Sequence, residues 1–219
     1  MTSADTLRRM SGEPLSGTPA VRRRENTRAR LVEAAEDVFA RKGVKRVTVD
    51  DLVGAAGFTR GAFYSNFSSI EEVFFALFEQ QSERMLAVVR EVIDGIPEDQ
   101  FTPASLGLIL ESLKPIAPRW YVVQTEFTLL AVRNEEARQV FQQHRQQFES
   151  QMVEVIGDVV RLLGREPSIP LKQLTETAIA LYLHALGQDA LGLGTLNSDE
   201  LVHLVLPQLI LGLSHPLPR

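Results

Sequence analysis

Residues 48–67, TVDDLVGAAGFTRGAFYSNF, are where residue types and spacing point to chemistry, and the chemistry is recognition rather than catalysis. Leu52, Val53, Ala56, Phe58, Phe63 and Phe67 supply an apolar interior for two short helices separated by a glycine turn. With those side chains inward, Thr59, Arg60, Gly61, Tyr64 and Asn66 are left outside or at the start of the second of these helices. They offer hydrogen-bond donors and a cation and have little to bury. A helix presented in this way can enter the major groove of DNA, with residues near its start reaching base edges. Taken alone, the same pattern also fits an ordinary helical hairpin with a solvated polar face.

Nothing in the chain assembles into a catalytic or metal site. There is no cysteine, which removes disulfides, thiol nucleophiles and cysteine-bound zinc. His144, His184, His203 and His215 show no metal-ligand pairing with one another, and there is no phosphate-binding glycine loop. Carboxylates are abundant but fall on helix surfaces, where solvation accounts for them. No catalytic residue, no metal and no cofactor is expected.

Charge is unevenly spread. The net charge is −5, yet residues 1–67 carry +4 and residues 68–219 carry −9. A basic head on an acidic body suits a protein that meets DNA with one end, because that end displaces counterions from phosphates. Clustering in a flexible tail gives the same arithmetic. No apolar run approaches a membrane span and the N-terminus lacks the apolar stretch of a signal peptide, so the expected location is the cytoplasm, with no membrane partner.

The elements that must position the polar face read as helices throughout, and the expected fold is all-α with about nine of them. Residues 1–21 read as a disordered leader, 22–67 as a helix-turn-helix head and 68–219 as a helical body. Helical periodicity begins near Glu25, and Gly43 ends the first helix. Thr48 with Asp51 predicts a capping box for the second helix, Gly57 a left-handed end, and Thr59 the cap of the third. Ser68 with Glu71 predicts another capping box, opening a long helix to Gly95 of roughly 40 Å. Asn134 is the expected cap of the seventh helix, the eighth loosens at Gly192, and a ninth begins near Ser198. No window alternates convincingly as a strand. Pro207 is expected to bend or split the ninth helix, and Arg22, Arg23 and Arg24 read either as an arm onto DNA or as solvated charge.

The run from Arg28 to Phe78 resembles the DNA-binding domain of the tetracycline-repressor (TetR) family nearly position for position. The likeness rests on Ala34-Ala35, Phe39, Gly43, Thr48-Val49, Ala56-Gly57, Gly61, Tyr64 and Phe67. It implies that Arg60, Gly61 and Ala62 face bases, while Thr48, Thr59, Tyr64 and Asn66 position the backbone, with Tyr64 on a phosphate. Two positions depart from the family pattern: Asn66, usually histidine, and Ile70, often lysine. The body resembles the family more loosely, in RWYVVQTEFTLLAVRNEEAR, LYLHALGQDALGLGTL and LPQLILGL.

That resemblance implies a homodimer on a palindromic double-stranded operator. Leu174, Ala178, Leu181, Ala185, Leu201, Leu204, Val205 and Leu209 are the candidate dimer residues. It also implies a pocket for a small hydrophobic effector, with Trp120, Tyr121, Gln124, Phe127, Phe148, Met152, Tyr182 and His184 as candidate ligand contacts. The expected function is a transcription repressor released from DNA by that effector. The rivals are a DNA-binding regulator without a small-molecule switch, and an all-helical ligand carrier or enzyme whose head does not read DNA.

Overall fold

The computed structural model describes residues 19–193 and 204–218. Among them nine α-helices follow in order: α1 (Pro19–Lys42), α2 (Val49–Ala56), α3 (Arg60–Tyr64), α4 (Ile70–Asp94), α5 (Pro103–Leu113), α6 (Ala117–Arg133), α7 (Glu135–Leu162), α8 (Leu171–Leu191) and α9 (Leu206–Gly212). The all-α class holds, with one correction. Two three-residue strands, β1 (Arg165–Pro167) and β2 (Ser214–Pro216), pair antiparallel with Glu166 opposite His215. Three residues are too few for alternation to show in sequence. A side chain locks the pair: Arg165 donates from Nε to Ser214 Oγ and from Nη2 to the Leu211 carbonyl, each at 2.8 Å.

Local signals set most helix ends. Thr48 and Asp51 form the reciprocal capping box of α2, and Gly57 closes that helix at φ 71. The Thr59 hydroxyl accepts from the Ala62 N–H, and Asn134 accepts from the Ala137 N–H. Two boundaries differ from expectation. Helix α1 already begins at Pro19, so residues 19–21 belong to a helix rather than to a leader. Residues 1–18 and Leu201 lie outside the described residues, as does the expected start of the ninth helix at Ser198. The cap of α4 is Ser69, accepting from the Glu72 N–H, rather than Ser68 with Glu71. Pro207 stands at the second position of α9, a helix that directly follows Leu204 and Val205, which are π-helical.

The interior divides between two main apolar clusters, and the division is not at residue 67. One cluster joins α1, α2 and Phe63 of α3 to Val73, Phe74, Leu77 and Phe78 of α4, Val123 to Ala131 of α6, and Ala137 and Phe141 of α7. Phe127 is its centre, within 4.8–5.5 Å, centroid to centroid, of Phe74, Phe75, Phe78 and Phe141. The other cluster begins on α4 at Met85 and takes in Leu86, Val89, Ile93, α5, Trp120, Phe148 and the later part of α7 with α8 and α9. Between them on α4 lie two buried polar residues, Gln81 and Ser82. Among the described residues no helix is long and apolar enough to cross a membrane.

Candidate nucleic-acid interface

Phe63, fully buried, anchors the five-residue α3 and leaves the rest of that helix outside. Tyr64 is 61% exposed, and its ring touches only the edge of Phe63, at 5.3 Å. Gly61 has negative φ, and a Cβ built there would meet nothing nearer than the Thr59 hydroxyl at 3.8 Å. The fold does not require glycine at that position; open space lies above it. Arg60, Gly61, Tyr64 and Thr59 therefore share an exposed face, and Ala62 is half-buried beside it.

Arg60 is not free on that face. Its guanidinium lies side-on to Asp50 of α2, with Nε donating to Oδ1 at 2.6 Å and Nη2 donating to Oδ2. That hydrogen bond holds the Asp50 carboxyl below its ordinary pKa. The neighbouring Asp51 is occupied differently. Lys42 Nζ, 2.7 Å away, and then the Thr48 N–H hold its pKa down to about 2. The Thr48 hydroxyl donates to the same carboxylate at 2.8 Å, so its proton is committed to the cap.

Asn66, expected to present donors to the DNA backbone, does something else here. Its side-chain Nδ2 donates to the Ala62 carbonyl at 2.8 Å and its own carbonyl accepts from Arg28 at 3.1 Å, so it ties the end of α3 inward. Arg28 also stacks on the Phe67 ring at 4.2 Å and pairs with Glu72 at 3.5 Å. The Ser68 N–H, 2.7 Å from Glu72 and its strongest influence, keeps that carboxyl below the usual range. One arginine of α1 thus fixes the seam between α3 and α4. Ile70 is half-buried against the head core, and Arg23 and Arg24 are exposed near the start of α1.

In the second cluster a cavity of about 100 Å³ is walled by Met85 and Val89 of α4, by Leu106, Ile109, Leu110 and Leu113 of α5, by Trp120, by Phe148, Met152, Val155, Ile156 and Val159 of α7, by Ala178, Ile179 and Tyr182 of α8, and by Leu206, Pro207 and Ile210 of α9. Among the described residues no charged side chain lines it. Of the expected contacts it gathers Trp120, Phe148, Met152 and Tyr182, and burial pushes the Tyr182 phenol pKa up. The other four lie elsewhere. Phe127 centres the head-side cluster, Gln124 bonds Thr128 on its own helix, His184 is exposed, and the Tyr121 hydroxyl packs over Gly187. The aliphatic walls were missed because an aliphatic residue beside a cavity has the same sequence signature as one in a filled core.

The expected dimer residues also part company. Leu174, Ala178 and Ala185 are buried within the chain itself, so a partner cannot touch them without rearrangement. Leu181 and Leu209 are half-buried, Leu204 and Val205 exposed, and exposed Leu191 and Leu193 join them at the end of α8.

A polar seam crosses the molecule between the two clusters. Glu36 of α1, itself mostly buried, accepts from Gln81 of α4 at 3.0 Å and from Arg119 of α6 at 3.4 Å. The next residues along each helix also meet, the Trp120 indole N–H donating to the Ser82 hydroxyl at 3.3 Å.

Residues 31–77 match the family model described as bacterial regulatory proteins, tetR family. Over 120 residues the chain is 37% identical to the uncharacterized HTH-type transcriptional regulator YfiR of Bacillus subtilis strain 168, covering 53% of this chain and 57% of that protein. The chain thus spans little more than half the length of that curated relative. Solved structures extend the likeness in fold to the body. A transcriptional regulator from Rhodococcus sp. Rha1 matches with a TM-score of 0.65 at 21% identity, covering 87% of this chain and 99% of that one. The regulator FadR from Bacillus subtilis, solved in complex with stearoyl-CoA, matches with a TM-score of 0.65 at 15% identity, covering 84% and 98%. The head, residues 31–77, thus matches the tetR family of bacterial regulatory proteins, and the described chain shares its overall fold with these solved regulators.

Proposed function

We propose that this protein is a sequence-specific DNA-binding transcription regulator, a repressor released from its operator by a small hydrophobic effector held in the body. The observation that carries the reading is the pairing of an exposed polar α3 face, where Gly61 opens the backbone to close approach, with a hydrocarbon cavity one residue from the seam that grips the head. Arg60 reads a base edge, Tyr64 and the Thr59 end of α3 meet the phosphate backbone, and the chain acts in the cytoplasm, where its operator is. The relatives named as regulators support this, and the stearoyl-CoA complex of FadR supports an apolar ligand in a body of this fold.

Two copies give two α3 helices, and successive major grooves on one side of DNA lie about 34–36 Å apart. A palindromic operator follows from that symmetry. The apolar residues exposed around the end of α8 and the start of α9, Leu191, Leu193, Leu204 and Val205, support a homodimer surface there.

Effector size bears on the switch. A cavity of about 100 Å³ is smaller than the ~150 Å³ that holds benzene in an engineered core, so a larger effector has to part its walls. Taking the equilibrium from 1:99 to 99:1 needs about 5.5 kcal/mol of differential affinity. At ~25 cal/mol per Å², burial of roughly 220 Å² of extra apolar surface supplies it. The test is fluorescence-anisotropy binding to DNA from the protein's own upstream region, against scrambled DNA and across salt. Preferential binding that weakens steeply with salt is expected, and equal weak binding to both DNAs, with no motif recovered from random DNA, rejects the reading.

A further inference from the structure

Asp50 and Arg60 sit ten residues apart on the two helices of the DNA-reading pair and meet through both carboxylate oxygens. Their side chains are 62% and 65% exposed. An exposed ion pair of this kind contributes little to stability and pays side-chain entropy to hold one geometry. The effect that remains is orientation.

Which nitrogens are used decides what that orientation does. Nε–H and one Nη2–H form one edge of the planar guanidinium, and Asp50 takes that edge. The Nη1–H and the other Nη2–H form a second fork at the tip, and no acceptor among the described residues occupies it. A tip fork held in a fixed plane matches the O6 and N7 acceptors of guanine in the major groove. The carboxylate adds a second discrimination. With a negative charge already on its flank, Arg60 favours a neutral base edge over another phosphate oxygen. Asp51, beside it, cannot substitute, because Lys42 and Thr48 occupy its oxygens.

Building on the DNA-reading role proposed above, we infer that Asp50 is a positioning residue that sets base specificity, holding Arg60 so that its free fork reads one guanine in each operator half-site. Without Asp50 the arginine stays a cation near DNA but loses its fixed plane, and it turns to phosphates.

The experiment is selection from random-sequence DNA by the full chain, comparing wild type with Asp50→Asn, Asp50→Ala and Arg60→Ala, alongside thermal unfolding of each. Asp50→Asn keeps the shape of the side chain and guards against a folding artefact. Wild type is expected to enrich a palindrome with a guanine preferred about ten- to hundred-fold over other bases at one pair per half-site. In both Asp50 variants that preference falls to within about two-fold of background while melting temperatures stay near wild type, and Asp50→Ala binds scrambled DNA as tightly as wild type or tighter. A guanine preference retained in the Asp50 variants, or a wild-type motif with no such guanine, overturns this inference alone. A wild type that enriches no motif overturns the DNA-reading role and this inference with it.

Discussion

Arg119 and Trp120 are chain neighbours with opposite attachments: the Arg119 guanidinium reaches Glu36 of the head at 3.4 Å, while the Trp120 ring walls the body cavity and its N–H holds Ser82. A displacement of Trp120 by a ligand therefore acts on the first turn of α6, where the head is tied. Trp120 is the only tryptophan in the chain, so its fluorescence reports on this point alone. Binding of operator DNA should change its emission in wild type. In Arg119→Ala the change should be lost while DNA affinity stays within a few-fold. With coupling energies of ~1–3 kcal/mol as the usual range, the same variant should weaken effector-driven release by at least about five-fold. Identical emission changes in both proteins would show that the seam does not transmit.

Gly61 separates stability from recognition. Alanine there meets only open space and is the better helix former, so Gly61→Ala should raise stability by about 0.5–1 kcal/mol. If DNA approaches the backbone at that point, the added methyl group should cost affinity. Thermal unfolding and anisotropy on the same sample check both signs; a variant no weaker on DNA removes Gly61 from the interface.

Tyr64 has no duty in the core beyond the contact of its ring with Phe63. Tyr64→Phe keeps that ring and loses only the hydroxyl. Binding should weaken by a similar factor on operator and scrambled DNA, since a phosphate contact carries no sequence information. Melting temperature should not move. Loss confined to one base pair would assign the hydroxyl to a base instead.

The cavity can be filled from inside. Ala178 lines it, and Ala178→Leu adds three carbons to a void of about 100 Å³. At ~0.8 kcal/mol per buried methylene the unliganded protein should gain up to about 2 kcal/mol. Hydrophobic ligands that raise the melting temperature of wild type should then have no effect, and the variant should stay on its operator in their presence. Destabilisation with ligand response intact would mean the void lies away from residue 178.

Acid acts on the α2 cap in a defined window. Asp51 has its pKa lowered from 3.8 to about 2, chiefly by Lys42 and then by Thr48. A depressed carboxylate contributes stability above its unfolded value and loses it as pH falls through the folded value. Wild type should therefore be more stable than Asp51→Asn at neutral pH, with the difference shrinking from about pH 4 to about pH 2. Melting curves across that range check it, and a constant difference would mean the cap does not depend on the charge.

What was legible in the sequence was local. Thr48, Thr59, Gly57 and Asn134 act within four residues of themselves, and the structure gives each the role its type implies. Ser68 with Glu71 and Ser69 with Glu72 satisfy the same local rule. Glu72 then takes the Ser68 N–H at 2.7 Å and also Arg28 at 3.5 Å, a partner forty-four positions away in the chain that a window around the cap does not contain. The same holds for the Asp50–Arg60 pair and for the β1–β2 strands, which are contacts across the fold. In the body, aromatic size was a poor guide. Phe127 serves an aromatic cluster on the head side of the seam, and the cavity takes most of its wall from leucine, isoleucine and valine. Leu174 and Ala185 have the small apolar spacing of an interface, but the chain uses it for itself.

Because Phe78 belongs to one apolar cluster and Met85 to the next, the long helix is gripped at two separate places with Gln81 and Ser82 between them. That makes the Gln81–Ser82 level a pivot and the head-side part of α4 a lever. At ~1.5 Å per residue, Ile70 lies roughly 17 Å from the pivot. A tilt of about 10° there sweeps the lever's end through ~3 Å, close to the ~3.4 Å spacing of successive bases along a strand. Under the effector-release function proposed above, a small wedge in the body is geared to a shift of about one base at the groove.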